Sequence, residues 1–353
     1  MNAVYDPSMA PQMVLDMFLA LRCLVSLEGK IPPEVEEMEA QEFYMGSEDV
    51  ERASVDTLLI LLIPKKLLRE YFTEGDEGDA SEAREFFRKL LRRFTLNNFG
   101  ILNDLQNVVA SGLYPSASVL NHSCSPNCIL TYRGDTVTIR TIRDVREGEE
   151  LTHSYIDLCQ TTEERREILQ AEYGFKCDCE RCTDEKYKQI DRIIYTGGMY
   201  RDKEEEDTPL NNYARCIDET VEEDSVEAME NEYLEYQNKL RCYENEGLVS
   251  LDKRIYHTHC MLHNNALLLG RYGEAEDHCT KMCEFLENTL QHVPLHPLLT
   301  LQQYTLADLK RENGKIEESA GVFEEVVRKM EITHEGSTLL EKAKESLKAV
   351  KIK

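Results

Sequence analysis

Three cysteines in one short segment, Cys177-Asp-Cys179-Glu-Arg-Cys182, constrain the fold of this chain more than any other feature. The C-x-C-x2-C spacing brings three thiolates together but leaves a tetrahedral zinc one ligand short, so a fourth must come from elsewhere in the chain. Cys124 is taken as that ligand, with Cys128 as the substitute and three uncoordinated thiols as the simpler alternative. A closed four-cysteine site would be structural, since it leaves the metal no open position for substrate. The chain holds twelve cysteines, and their uneven scatter without an export signal favours free core thiols and metal ligands over disulfides. Cys23, Cys216, Cys242, Cys260, Cys279 and Cys283 lie in helical patterns and are expected as small buried hydrophobes.

A length of 353 residues, 41% hydrophobic and 31% charged, suits a folded protein of two or three compact units. The apolar run Leu58 to Ile63 stops at Pro64, far short of the roughly 20 residues a membrane span needs, so no transmembrane helix is expected. Met1 to Pro11 lacks the basic start and apolar core of a secretory signal, which points to an intracellular protein of nucleus and/or cytoplasm. A formal charge of −26 argues against direct nucleic-acid binding and favours basic protein partners, although acidity also serves solubility.

Along the chain, Val14, Leu15, Met17, Phe18, Leu21, Leu24 and Val25 follow helical spacing within Met13–Leu27, ahead of Pro32-Pro33. A second helix is expected from about Glu51 to Pro64, and a third after Ser81 with Phe86, Phe87, Leu90, Leu91 and Phe94 on one face. Glu74–Asp79 reads as a solvated loop. Ile129–Tyr132 and Thr136–Ile142 alternate as strands around a turn at Arg133-Gly-Asp135. Glu147-Gly-Glu149 is a second turn leading to a short strand through Tyr155, so a small β unit occupies roughly 99–158. Thr161-Thr-Glu-Glu164 has capping-box spacing and starts a helix leading to the cysteines.

From Thr196 large apolar residues thin out and acidic ones crowd, as in a mobile connector ending near 225. Beyond it, Ala266–Ala275 resembles Ala307–Ile316 at an offset of 41 residues. A helix, a turn carrying Gly273 or Gly314 and a second helix is how tetratricopeptide-like pairs are written, with an ordinary helical bundle as the alternative.

The densest chemical signal is Gly112-Leu-Tyr-Pro-Ser-Ala-Ser-Val-Leu-Asn-His-Ser-Cys-Ser-Pro-Asn-Cys128, followed by Gly148-Glu-Glu-Leu-Thr-His-Ser-Tyr-Ile-Asp157 and the three late cysteines. Asn121-His-Ser-Cys124 packs an amide, an imidazole and a thiol into one turn able to hold a ligand. Taken singly, an Asn-His turn, a strand tyrosine at Tyr155 and a helix-ending asparagine at Asn97 are all ordinary structural features.

Together and in this order the three segments resemble the SET domain of the SET and MYND family of protein-lysine methyltransferases. The resemblance is dense over 97–182. The preceding helices resemble the family's insertion, and the last ones its carboxy-terminal repeat domain. It implies an α+β fold: a small SET-type β core with a helical insertion and a post-SET zinc site, followed by an all-α tetratricopeptide-like domain. The implied parts are 1–96 (helical insertion), 97–160 (SET core), 161–195 (post-SET zinc segment), 196–225 (acidic connector) and 226–353 (tetratricopeptide-like domain). S-adenosylmethionine and a structural zinc are the implied cofactors, the zinc on Cys124, Cys177, Cys179 and Cys182. Asn97, Ser118, Leu120, Asn121, His122, Tyr173 and Phe175 would contact S-adenosylmethionine. Tyr155 matches the active-site tyrosine, and Phe99, Tyr155 and Tyr173 would wall the lysine channel. The implied activity is methyl transfer to histone or non-histone lysines. A truncated or non-catalytic SET protein, holding peptide or protein ligands on its helical repeats, is the alternative. The family's amino-terminal glycine-rich turn and MYND zinc module have no counterpart before residue 97, where Cys23 is the one cysteine and histidine is absent. An incomplete product is the expected reason, ahead of a natural short form.

Overall fold

The computed structural model describes residues 11–61, 70–72, 80–194 and 223–352. The expected loop Glu74–Asp79 and all but the end of the acidic connector 196–225 lie outside the described residues, as does Cys216.

The first helices form a compact layer. Helix α1 (Pro11–Ser26) buries Met17, Ala20 and Leu24, and Gly29 at φ +70° turns the chain away after it. Helix α2 (Glu48–Leu61) begins three residues before the expected start because the Ser47 hydroxyl accepts the Val50 N–H at 3.4 Å, a side-chain cap. Helix α3 (Ala80–Asn97) buries Phe86, Phe87, Leu90, Leu91 and Phe94, the five residues of its apolar stripe. A carboxylate stitches the layer together: buried Asp16 accepts from the Tyr44 hydroxyl at 2.5 Å, Asn98 Nδ2 at 2.5 Å and Gln12 Nε2 at 2.8 Å.

The β unit consists of short two-stranded pairs. Strands β1 (Asn98–Leu102) and β2 (Val108–Leu113) make an antiparallel hairpin whose loop is closed by Asn103 Oδ1, which accepts from the Leu105 and Asn107 amides at 3.0 Å each. Strand β3 (Asn121–His122) pairs in parallel with β6 (Thr152–His153), and β4 (Cys128–Arg133) pairs antiparallel with β5 (Thr136–Thr141). The β4–β5 turn is Gly134-Asp135, with Gly134 at φ +57° as a two-residue hairpin requires. Gly148, at φ +81°, makes the second turn, but the strand after it ends at His153, so Tyr155 lies in a bend beyond the strand.

Helix α4 (Thr162–Tyr173) starts on a complete capping box between Thr161 and Glu164 and ends at Gly174, φ +76°. A single turn at Glu180–Thr183 carries Cys182 into α5 (Glu185–Ile194). The remaining helices run as α6 (Glu223–Asn245), α7 (Lys253–Leu268), α8 (Tyr272–Thr289), α9 (Pro297–Glu312), α10 (Ile316–Thr333) and α11 (Thr338–Ile352). Each packs on its neighbour in sequence.

The internal repeat has a different period from the one read in the sequence. Both α9 and α10 begin and end 44 residues after α7 and α8. The left-handed turn residues are Gly270 (φ +69°) and Gly314 (φ +78°), whereas Gly273 lies inside α8. The crossings correspond as well: His263 Nδ1 donates to the Ala275 carbonyl at 3.0 Å, and at the matching point Ser319 Oγ donates to the Ala307 carbonyl at 2.7 Å. No helix among the described residues is long and apolar enough to cross a membrane.

Candidate active site and metal centre

The capping box points α4 at the cysteine segment, and Gly174 turns the chain back so that Cys177, Cys179 and Cys182 meet Cys124. The four sulfurs all lie within 4.8 Å of one another. A tetrahedral zinc with Zn–S bonds of about 2.3 Å sets sulfurs about 3.8 Å apart. Cys124 lies 4.0 Å from Cys177 and 3.6 Å from Cys182, so the donor set fits that ion. Cys128 is not in the cluster; its thiol sits in β4, 3.5 Å from Asn127 Oδ1.

Two arginines hold this centre. Arg165 is fully buried, and its Nε donates to Cys124 Sγ at 3.2 Å while Nη2 reaches Cys182 Sγ at 3.5 Å. Arg166 donates to the carbonyls of Cys177 at 2.9 Å and Cys182 at 3.1 Å. Four thiolates around a dication carry a net negative charge, and a buried guanidinium on two of the sulfurs offsets it. Hydrogen bonds among the thiols, Cys124 first, hold Cys179 well below the usual range and Cys182 down to about 6.

Two cavities meet beside this centre. The larger, about 760 Å³, is lined by Asn97, Ser118, Asn121, His122, Tyr155, Tyr173 and Phe175, with Glu34, Glu37 and Glu39 on its lip. The smaller, about 290 Å³, is lined by Phe99, Leu120, Tyr132, His153, Tyr155 and Tyr173 among others, and Val293, His296 and Pro297 close one side from the α8–α9 connection. Asn97, Ser118, Tyr155 and Tyr173 belong to both. Every residue expected near a cofactor thus lines the larger cavity except Leu120. Leu120 lines the smaller one instead, and its carbonyl accepts the Tyr155 hydroxyl at 2.6 Å.

Tyr155 and Tyr173 stand with ring centroids 4.9 Å apart, and Tyr155 is 4.9 Å from His153 and 5.3 Å from His122. Burial, then the charges of Glu39 and Glu150, push the Tyr155 phenol up, so it stays protonated at neutral pH. Its hydrogen is committed to Leu120, which leaves the phenolic oxygen lone pairs for another donor. Asn121 Nδ2 donates to Glu150 Oε1 at 2.6 Å. Asn97 fills the ordinary role of a helix-ending asparagine as well as lining both cavities: its Nδ2 donates to the carbonyls of Arg93 at 3.0 Å and Glu39 at 2.8 Å. Burial holds the His122 and His153 rings neutral, each down to about 4.

Sequence reasoning missed Arg165, His153 and the α8–α9 residues. Arg165 sits in Glu163-Glu-Arg-Arg166, a run that reads as a solvated helix start, and nothing there separates it from Arg166. His153 Nδ1 donates to the Ser154 carbonyl at 3.0 Å and its Nε2 is buried without a partner, which no local pattern announces.

Residues 32–156 match the SET domain family, a span that takes in the second and third of the helices expected as an insertion but not the first, and nearly all of 97–160. Over 115 residues the chain is 42% identical to histone-lysine N-methyltransferase SMYD3 of Homo sapiens, covering 32% of this chain and 27% of that protein. It is 35% identical over 129 residues to N-lysine methyltransferase SMYD2-A of Danio rerio (36% and 30%) and 38% identical over 94 residues to SMYD2 of Gallus gallus (27% and 22%). The matched region spans less than a third of each of these relatives.

Proposed function

We propose that this SET-domain chain carries the catalytic site of an S-adenosylmethionine-dependent protein-lysine N-methyltransferase acting on histone or non-histone lysines. One observation carries the reading: Tyr155 and Tyr173 form a wall shared by two cavities, one lined by the expected cofactor residues and the other by aromatic rings. Methyl transfer needs such an arrangement, with donor and acceptor entering from opposite sides and meeting across a narrow gap.

When bound, S-adenosylmethionine supplies a methyl group already activated on a sulfonium, so the protein's burden is geometric. A volume of about 760 Å³ lies within the range of small-molecule sites, roughly 300–1,000 Å³, and its acidic lip suits a ligand bearing positive charge. On the other side, Phe99, Tyr155 and Tyr173 enclose a space sized for one lysine side chain. Removing the amine from water there disfavours its ammonium form and raises the neutral, nucleophilic fraction. The free lone pairs of the Tyr155 oxygen then orient the amine. Cys124, Cys177, Cys179 and Cys182 hold zinc in a structural role, fixing the turn before Phe175 and the loop after Asn121.

The test is transfer of radiolabelled methyl from S-adenosylmethionine to histone and non-histone proteins. Tyr155→Phe should lower kcat by about 100-fold, the scale of losing one oriented polar group in an active site. Zero transfer by the unaltered protein overturns the activity. A second reading rests on the 44-residue correspondence of α7–α8 with α9–α10. We read 226–353 as a tetratricopeptide-like domain that holds peptides or proteins, a role that would survive loss of catalysis.

A further inference from the structure

We propose that His122 is a positioning residue that ties Tyr155 to the cysteine centre, so that the backbone at Tyr155 responds to the state of the metal. The proposal rests on assigning zinc to the four thiols and catalysis to Tyr155.

The hydrogen-bond directions follow from the geometry. The Tyr155 backbone N–H lies 3.0 Å from His122 Nδ1, and because an amide can only donate, Nδ1 is the acceptor. In a neutral ring the hydrogen is then on Nε2, which lies 3.2 Å from Cys124 Sγ and donates to it. One imidazole thus spans from the backbone of Tyr155 to a sulfur of the centre. Tyr155 and Phe175 flank the ring at centroid distances of 5.3 and 6.1 Å.

The ring of Tyr155 packs against Tyr173 and His153, but its backbone has few other ties. The β3–β6 ladder has two rungs, Asn121 with Thr152 and His122 with His153, and Tyr155 lies past the last of them. Its two hydrogen bonds go to His122 Nδ1 and the Leu120 carbonyl, both in the short segment that ends at Cys124. Fixing Cys124 Sγ therefore fixes the ring that accepts from Tyr155, and a freed sulfur lets the ring turn and release that amide. The same logic orders metal ligands through their outer partners, here running outward from the sulfur to the tyrosine.

Two substitutions separate the halves of the link. In His122→Asn the side-chain oxygen can occupy the place of Nδ1 and accept from Tyr155, but nothing reaches the sulfur. In His122→Gln the amide nitrogen can reach the sulfur, but the acceptor for Tyr155 is displaced. The measurement is hydrogen exchange at the Tyr155 amide, relative to amides of the β4–β5 ladder, in zinc-loaded and chelated full-length protein. Chelation should speed Tyr155 exchange in the unaltered protein by about fivefold or more, the factor one hydrogen bond carries. In His122→Asn, exchange should stay slow and change less than about twofold on chelation; in His122→Gln it should be fast in both states. The same chelation factor in all three proteins overturns the proposal. Exchange is read without methyl transfer, so an inactive protein would sink the proposed function and leave this link to be judged on its own data.

Discussion

Glu51 is among the most consequential single residues outside the site. Its carboxylate takes two bonds from Arg92, at 2.7 and 3.1 Å, lies 3.2 Å from Arg88 Nε, and accepts the Tyr44 amide at 3.1 Å. Burial alone would raise its pKa, but the bonds from Arg92 and Tyr44 outweigh it and the carboxyl ends below the usual value. A depressed carboxylate stabilises the fold fully above the unfolded pKa, about 4.3, and that contribution disappears as pH falls through the folded value. Glu51→Gln should therefore cost about 3 kcal/mol at neutral pH, with the gap to the unaltered protein closing below pH 4. Thermal unfolding from pH 7 to 3 checks this; a gap that does not vary with pH refutes it. At this scale the sequence revealed the residues whose spacing is itself chemical. The spacing of the late cysteines was such a case, and the fold brings them to Cys124, whereas Asn121, His122 and Tyr155, which line one cavity, stood out only through the family resemblance. Arg165 and Glu51 were not legible, because what buries a charge is a partner distant in the chain.

The elements were legible wherever one local pattern decides them. The stripe on α3, the capping box of α4 and the Gly134-Asp135 hairpin all formed where periodicity or turn chemistry put them. The β1–β2 hairpin was not resolved in the sequence, since its loop depends on one asparagine side chain bonding the backbone ahead of it. The repeat was found but read in the wrong register: matching letters aligned Gly273 with Gly314, whereas the turns align Gly270 with Gly314. A side chain at a left-handed position costs about 1–2 kcal/mol, while Gly to Ala within a helix gains up to about 1 kcal/mol. Gly314→Ala should thus lower the thermal midpoint, and Gly273→Ala, whose added methyl meets nothing within 4 Å, should hold or raise it. Equal effects from the two would contradict the 44-residue register.

Over the whole molecule, the four-cysteine cluster is where the β unit and the helical region join. One apolar core contains Cys124, Cys177 and Cys182 together with Leu158, Phe285, Leu286, Leu290 and Val293, and His292 Nε2 donates to the Cys124 carbonyl at 2.9 Å. No sequence pattern showed this, because the joint is made by residues more than a hundred positions apart. Leu290, fully buried on the helical side, should cost about 2–5 kcal/mol when changed to Ala and should also speed zinc loss to a chelator. Unfolding of the helices with zinc retention unchanged would show the two parts to be independent.

Catalysis at Tyr155 requires the larger cavity to be a cofactor site, and calorimetric titration of the zinc-loaded protein with S-adenosylmethionine tests that most directly. One equivalent should bind per chain, with affinity lowered about tenfold in Asn121→Ala, equivalent to about 1.4 kcal/mol. No heat of binding, or binding that Asn121→Ala leaves unchanged, would contradict it.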